Sequence, residues 1–315
     1  MPGADPAAVP HGPAPHHGAT AGTPTPSHVT LANGLEVEYL ELGDGPLALC
    51  LHGFPDSAHT WRHLLPRLAS AGYHAVAPFL RGYAPTGLAP DGSYQSGALG
   101  VDANQMRDSL GVEGSSSEAV LIGHDWGALA AYGAANLEPD GWRRIVTLAV
   151  PPAGVVGSGF FTYEQLRLSW YMFFIQHPLA DMVVPMNDHD FIAKLWRDWS
   201  PGYDHAEDLA HFVACVPDAE HLTAVLNYYR HTIGGIDNRG ELAEAQTATF
   251  AGPPQPTLYL HGRDDGCMLA TLAEGADEFL PGEGSEAHLL DDCGHFLHLE
   301  RPEDVNDLVV EFLTR

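Results

Sequence analysis

The stretch "VLIGHDWGAL", residues 120–129, joins an apolar, strand-like run to a helix-forming run of small residues. Gly123 and Gly127 flank Asp125 in the pattern G-x-(nucleophile)-x-G, which is typical of a tight strand-to-helix turn that exposes its central side chain. Aspartate also commonly caps the N-terminus of a helix, so capping is an alternative role for Asp125. The stretch therefore predicts a strand–turn–helix unit with either a nucleophile or a helix cap at its apex.

Strands and helices alternate on both sides of this unit. A hairpin signal at Asn33-Gly34 separates two short strands near the N-terminus, and a short strand near "EAHLLD" and a closing helix at 302–315 end the chain. The apolar runs that predict buried strands are "PLALCLHGF" (46–54), "YHAVAPF" (73–79), "EAVLIG" (118–123), "RRIVTLAV" (143–150) and "PTLYLHG" (256–262). Because parallel strands need helical crossovers, this alternation predicts an α/β fold with a mostly parallel central sheet and helices on both faces.

The strand pattern is interrupted between residues 152 and 238. Three aromatic-rich helical segments replace it: "EQLRLSWYMFFIQ" (164–176), "DFIAKLWRDWS" (190–200) and "AEHLTAVLNYYRHT" (219–232). We therefore expect a helical lid at 152–238, inserted into an α/β core formed by 28–151 and 239–315. Residues 1–27 are rich in Pro, Gly, Ala and His, and this composition predicts a disordered tail.

Composition limits the classes of partner. The chain has 14 Lys and Arg against 41 Asp and Glu, a formal charge of −27, which opposes binding to nucleic acids and to anionic membrane surfaces. There is no apolar run of transmembrane length and no basic, apolar leader, so a cytoplasmic location is expected. The four cysteines lack C-x-x-C spacing, so zinc and redox motifs are not predicted. Reduced thiols are expected, with a Cys267–Cys293 disulfide as the alternative.

A nucleophile at this turn needs a base, and the base needs a group that orients it. The run "HGRDDG" follows a predicted strand and places Asp264 or Asp265 at the carboxyl end of the sheet. The run "DDCGHFLH" follows the last strand and places His295 at the same end. Nucleophile, acid and histidine then occur in the chain order that such sheets use. His298 is expected to pack beside this group.

An oxyanion hole is expected from two backbone amides. One belongs to Trp126, directly after Asp125, and the other to Phe54 in the loop "HGFPDS" after an early strand. An ordinary Gly-Pro turn is the alternative interpretation of that loop.

From about His28 to the C-terminus the chain resembles the epoxide hydrolases of the α/β-hydrolase fold. The motifs that carry the resemblance are H-G-x-P (52–55), G-H-D-W-G (123–127), G-x-x-D (262–265) and G-H-F (294–296). The family spacing G-x-x-D makes Asp265 the match for the triad acid. Members of this family carry two lid tyrosines that hydrogen-bond the epoxide oxygen. Tyr171 matches the first and Tyr229 the second, with Tyr228 as the other candidate.

The resemblance implies a reaction in two steps. Asp125 attacks an epoxide carbon to form an ester, and water activated by the pair of His295 and Asp265 hydrolyses that ester to give a vicinal diol. The implied partners are a small apolar epoxide and water, with no cofactor and no metal ion. The residues predicted to line an apolar, aromatic substrate pocket are Phe54, Trp126, Trp170 and Phe174.

Three other functions are compatible with an aspartate at this turn. A haloalkane dehalogenase shares the nucleophile and the following tryptophan, but often has a halide-binding asparagine after the H-G pair, where this chain has Phe54. Dehalogenases of the fluoroacetate type use arginine after the nucleophile, where this chain has Trp126. A non-catalytic receptor built on the same fold is a third possibility, opposed here by the retention of every expected catalytic residue type.

Overall fold

One eight-stranded sheet forms the centre of the computed structural model, which describes residues 22–111, 118–235 and 240–315. Its strands are β1 (Thr25–Thr30), β2 (Glu36–Leu42), β3 (Leu47–Leu51), β4 (His74–Pro78), β5 (Val120–His124), β6 (Arg144–Leu148), β7 (Thr257–Gly262) and β8 (Glu286–Leu290). They lie in the order β1-β2-β4-β3-β5-β6-β7-β8. Strand β2 is antiparallel to β1 and β4, and the remaining pairs are parallel. The predicted α/β fold is confirmed.

Helices in the first half of the chain pack on the centre of the sheet. They are α1 (Leu65–Ser70), α2 (Ser96–Leu110) and α3 (Trp126–Leu137), with a 3-10 turn at Ala58–His63. Helix α3 contacts β3, β5 and β6, and α2 packs against α3. Every residue of β3 and β5 is buried, which explains why these strands read as continuous apolar runs and not as alternating ones.

A block of helices separates β6 from β7. These helices are α4 (Ala153–Gly159), α5 (Tyr163–Leu168), α6 (Trp170–Ile175), α7 (Leu179–Val183), α8 (Met186–Trp199, kinked at 187–189), α9 (Ala206–Cys215) and α10 (Ala219–Thr232). They occupy residues 153–232, within the range predicted for a lid. We use the word lid for these seven helices.

The chain then returns to the sheet. The remaining helices are α11 (Ala243–Ala248), α12 (Ala270–Ala273), α13 (Leu297–Glu300) and α14 (Pro302–Thr314), with 3-10 turns at Gly240–Leu242 and Ala276–Phe279. Helix α11 packs on α2 and α3, whereas α14 contacts α1 and β7. No helix within the described ranges is long and apolar enough to cross a bilayer.

The tail predicted for residues 1–27 is too long at its C-terminal end. Residues 25–27 belong to β1, where Thr25 pairs with Glu41 and Ser27 with Tyr39 of β2. Pairing in a sheet uses backbone groups, so a Pro- and Thr-rich edge strand can form where side-chain composition suggests disorder. Residues 1–21 lie outside the described part of the chain.

Candidate active site

Asp125 lies in a strained turn between β5 and α3, with φ of 54° and ψ of −117°. A positive φ is uncommon for a residue that has a Cβ atom. The flanking glycines are required by close approach: a Cβ on Gly123 would lie 2.1 Å from the carbonyl oxygen of Gly127, and a Cβ on Gly127 would lie 2.1 Å from that of Leu51. Within the described residues the Asp125 side chain makes no capping bond to α3, so the helix-cap interpretation is wrong.

The two carboxylate oxygens of Asp125 have different surroundings. Oδ1 accepts a hydrogen bond of 2.7 Å from the Phe54 amide. The H-G loop reaches this position because Gly53 has no side chain; a Cβ there would lie 2.3 Å from Oδ1. The amide of Trp126 begins α3, where amides lack an intrahelical acceptor, and its part in an oxyanion hole remains a prediction.

His295 lies between the two aspartates. Its Nδ1 atom is 2.9 Å from Oδ2 of Asp265, and its Nε2 atom is 3.6 Å from Oδ2 of Asp125. Nε2 is buried and has no hydrogen-bond partner among the described residues. The other oxygen of Asp265 accepts hydrogen bonds from the amides of Cys267 and Met268, at 2.7 and 2.9 Å. The acid is thereby fixed from both sides, and it in turn orients the imidazole.

Of the two candidate acids, Asp265 is buried and contacts the histidine, whereas Asp264 is exposed. Burial alone would raise the pKa of Asp265, but the charge of His295 and its hydrogen bond outweigh burial and lower that pKa. Burial likewise disfavours the charged imidazole, yet the negative charges of Asp265 and Asp125 raise the pKa of His295 to about 10. While both carboxylates are ionised, His295 therefore keeps its proton at neutral pH.

Two lid tyrosines meet near Asp125. Tyr171 on α6 and Tyr229 on α10 are fully buried, and their rings pack edge to face with centroids 5.6 Å apart. The Tyr171 hydroxyl is 3.4 Å from Sγ of Cys267, and the Tyr229 hydroxyl has no partner in the described part of the chain. The Tyr228 hydroxyl, in contrast, donates to the carbonyl oxygen of Arg81 at 2.7 Å. Of the two neighbouring tyrosines, Tyr229 is the one with a free hydroxyl.

A cavity of about 300 Å³ begins at Asp125 and Tyr229. Its walls are mainly apolar, and the side chains that form much of them are Trp126, Leu129, Val150, Phe160, Met172 and Met268. Phe161 and Ile233 also line it and are 77% and 44% exposed, so the cavity reaches the surface beside them.

The structure places three of the four predicted pocket residues away from the cavity. The rings of Trp170 and Phe174 contact Phe191 of α8, with centroids 5.7 and 5.6 Å away, and Trp170 is 48% exposed. The prediction that they line the cavity is wrong, because the lid helix α6 packs its Trp170 face against α8. Met172 from the same helix lines the cavity. The ring of Phe54 is buried in the core, and only its amide reaches Asp125.

Most of the chain is similar to known proteins. Residues 48–308 match the model of the alpha/beta hydrolase family. An epoxide hydrolase of Caballeronia sordidicola is 31% identical over 89% of this chain and 91% of its own. The chain belongs to the epoxide hydrolases of the alpha/beta hydrolase family. Epoxide hydrolase A of Mycobacterium tuberculosis is 29% identical over 93% of this chain and 98% of its own. The solved structure of an epoxide hydrolase from an endophytic Streptomyces is 28% identical over 92% of this chain and 95% of its own, with a TM-score of 0.72.

This alpha/beta hydrolase also contains a buried polar cluster that no sequence motif indicates. Asp56, His124 and His298 each offer a potential ligand atom within 4.8 Å of the others. Oδ2 of Asp56 and Nδ1 of both histidines lack hydrogen-bond partners in the described ranges. Nε2 of His124 is 2.9 Å from the carbonyl oxygen of His295, and Nε2 of His298 is 2.6 Å from Oγ1 of Thr60. The only sequence signal is position, since each of the three lies within three residues of a catalytic motif.

A second group of potential metal ligands in this hydrolase is Asp265, Cys267 and His295. Here the acid and the histidine bond to each other, and the thiol contacts Tyr171. Cys267 and Cys293 are free, buried thiols, so the disulfide alternative is wrong. Burial and the neighbouring carboxylates raise the pKa of Cys267, which keeps this thiol protonated.

Proposed function

We propose that this chain converts an apolar epoxide and water to a vicinal diol, with Asp125 as the nucleophile. The observation that carries the proposal is the unequal environment of the Asp125 carboxylate. Oδ1 is held by the Phe54 amide, whereas Oδ2 is left facing Nε2 of His295 in the wall of an apolar cavity. A carboxylate is ionised at neutral pH without a base, so it can attack a saturated ring carbon directly.

In the first step Oδ2 of Asp125 attacks an epoxide carbon. The bond between that carbon and the ring oxygen breaks, and the oxygen takes a proton from the hydroxyl of Tyr171 or Tyr229. Burial, together with the nearby negative groups, raises the pKa of both tyrosines well above their usual value. They therefore hold their protons until the alkoxide, a stronger base, develops beside them.

In the second step His295 acts as the base. Esterification removes the charge of Asp125, so the imidazolium loses one of the two carboxylates that raise its pKa and gives its proton, through solvent, to the tyrosinate left by the first step. The neutral imidazole then takes a proton from water. The hydroxide attacks the ester carbonyl, whose oxygen is Oδ1, and negative charge develops at the Phe54 amide. The ester bond to the alkyl oxygen then breaks, the departing alkoxide takes the proton of the new carboxylic acid, and the diol leaves. Asp125 is then ionised again and His295 is protonated, as before the reaction.

The lining of the cavity indicates the substrate class. The lining residues whose side chains carry polar groups are Asp125, Trp126, Tyr229, Thr232 and Cys267, and most other lining side chains are apolar. An apolar substituent is stabilised when it moves from water into such a cavity, whereas an additional charged group would lose its hydration without finding a partner. The proposed substrate is therefore an apolar epoxide.

The decisive experiment traps the ester. We expect His295→Gln incubated with styrene oxide to gain the mass of one substrate on the peptide that contains Asp125. His288→Gln, the same change at an exposed histidine, should accumulate no adduct. In a single turnover of the unmutated protein in ¹⁸O-water, the label should enter Asp125. Absence of the adduct, or label found only in the diol, would refute the proposed mechanism.

A haloalkane dehalogenase is the second candidate, and one observation favours it. The indole Nε1 of Trp126 lines the buried site without a hydrogen-bond partner among the described residues, as a halide donor would. Release of bromide from 1-bromobutane, with no adduct from styrene oxide, would establish that function instead. Lack of turnover of either compound would favour a non-catalytic protein.

A further inference from the structure

The substrate cavity lies on one side of the nucleophile. Asp125 follows β5, which has β6 and β7 on one side and β3 and β4 on the other. Val150 and Pro151 follow β6, Cys267 and Met268 follow β7, and all four line the cavity. The space available to a substrate therefore extends from Asp125 over the β6–β7 half of the sheet.

The other side is filled by packed aromatic rings. Phe54 follows β3, Tyr83 follows β4 and Phe212 comes from lid helix α9; each has 0% exposure. The ring of Phe212 packs edge to face on Phe54 and on Tyr83, with centroids 5.8 and 6.4 Å apart. The ring of Phe54 also packs against Tyr229, at 5.3 Å. Aromatic contacts at these distances leave no room for an alkyl chain between the rings.

We propose that the substrates are epoxides that carry their substituent on one ring carbon only, and that Phe212 enforces this selection. The proposal rests on the epoxide hydrolysis proposed above. The epoxide ring must contact both Asp125 and the hydroxyls of Tyr171 and Tyr229, so its position is fixed. A substituent on one carbon then enters the cavity, whereas a chain on the other carbon would point toward the β3–β4 side and overlap the ring cluster of Phe54 and Phe212.

The open mouth of the cavity restricts the length of the substituent less than the aromatic rings restrict its position on the epoxide. Phe161, Ile233 and Phe250 line the cavity and are between 44% and 77% exposed. A long chain can therefore leave the cavity along these side chains without meeting a closed end. Selection acts on where the chain is attached to the epoxide and much less on how long it is.

A pair of isomers with the same formula tests this selection. We expect kcat/KM for 1,2-epoxyoctane to exceed that for trans-4,5-epoxyoctane by about 100-fold, as for a group that a packed site cannot accommodate. The two compounds have the same composition and closely similar hydrophobicity, so a difference reports where the substituents fit. Equal values, or a preference for the internal epoxide, would overturn the proposal.

Substitution of Phe212 tests whether this ring excludes the second substituent. Phe212→Ala, or Phe212→Leu where the alanine variant is not folded, should raise kcat/KM for the internal isomer at least about tenfold relative to the terminal one. The matched control is Phe191→Ala, which removes a lid phenylalanine that packs on Trp170 and Phe174. That variant should leave the ratio unchanged. An unchanged ratio in a folded Phe212 variant would show that this ring is not the barrier.

A binding measurement separates this proposal from the proposed function. If neither epoxide is hydrolysed, the hydrolase proposal has failed, and the shape of the cavity is tested with octan-1-ol and octan-4-ol by calorimetry. Tighter binding of octan-1-ol, with the difference reduced in Phe212→Ala, supports a one-sided cavity. Equal binding of the two alcohols overturns it.

Discussion

Replacement of Asp125 by asparagine should lower the pKa of His295 by two to three units. The change removes a negative charge 3.6 Å from Nε2 and keeps the shape of the side chain. Two unit charges at this distance interact by about 4 to 5 kcal/mol at an effective dielectric constant of about 20, equivalent to about three pKa units. Since His295 has a pKa of about 10 in the unmutated protein, the variant should titrate near neutrality.

The assay is an NMR titration of ¹⁵N-labelled histidine side chains from pH 5 to pH 11. Asp264→Asn provides the matched control, because it is the same substitution at the exposed neighbour of the acid and should leave the His295 titration unchanged. A decrease of less than about one unit in Asp125→Asn would refute the reasoning, since the proton would then be held by Asp265 alone. The second catalytic step would in that case lack its base.

The raised pKa of His295 in the folded protein also affects its stability. A histidine whose pKa is raised on folding contributes stability below its unfolded pKa, near 6.5, and that contribution is lost as the pH rises through the folded value of about 10. In Asp125→Asn the loss should be complete near neutral pH. Urea unfolding of both proteins at pH 6, 8 and 10 measures this difference.

Two further predictions concern groups beside the triad. Tyr229→Phe should slow formation of the ester about 10- to 100-fold in single-turnover mass spectrometry, because a donor to the alkoxide is lost. Tyr228→Phe should not slow it, since that hydroxyl already donates to Arg81. Burial and the nearby Asp208 charge raise the pKa of Asp56 to about 8 from 3.8, so its neutral form is favoured on folding. The free energy of unfolding should therefore fall between about pH 4 and pH 8, and Asp56→Asn should reduce that slope.

The sheet and the close approach of Asp125, Asp265 and His295 could be predicted from the sequence, because each is tied to a residue type. A buried parallel strand must be a continuous apolar run. The strained turn requires glycine at positions 123 and 127, because neighbouring backbone carbonyl groups leave no space for a Cβ atom there. The choice between Asp264 and Asp265 needed the family spacing. Both follow β7, and only the folded loop decides which one is buried against His295.

Helix α2 shows why other elements were missed. Gly97 and Gly100 lower helix propensity, and nothing local indicates a helix between the segment "RGYAPTG" (81–87) and β5. In the fold these glycines allow close packing: a Cβ on Gly97 would lie 2.4 Å from the Gln246 amide nitrogen, and one on Gly100 would lie 3.0 Å from that of Ala134. Tertiary packing against α11 and α3 outweighs local propensity, and such contacts cannot be identified from a single sequence.

In the lid, too, packing between helices could not be predicted from the sequence. Trp170 and Phe174 are four residues apart and share one face of α6, whereas Tyr171 and Ile175 share the next face. Sequence spacing alone groups these residues correctly, and the proposed opening of the epoxide requires a tyrosine hydroxyl to face Asp125. Once Tyr171 faces inward, the Trp170 face lies about a quarter turn away, and Phe191 of α8 covers it. Residues that belong to a sequence motif can thus be placed in advance, but residues that shape the cavity depend on which helix packs beside them.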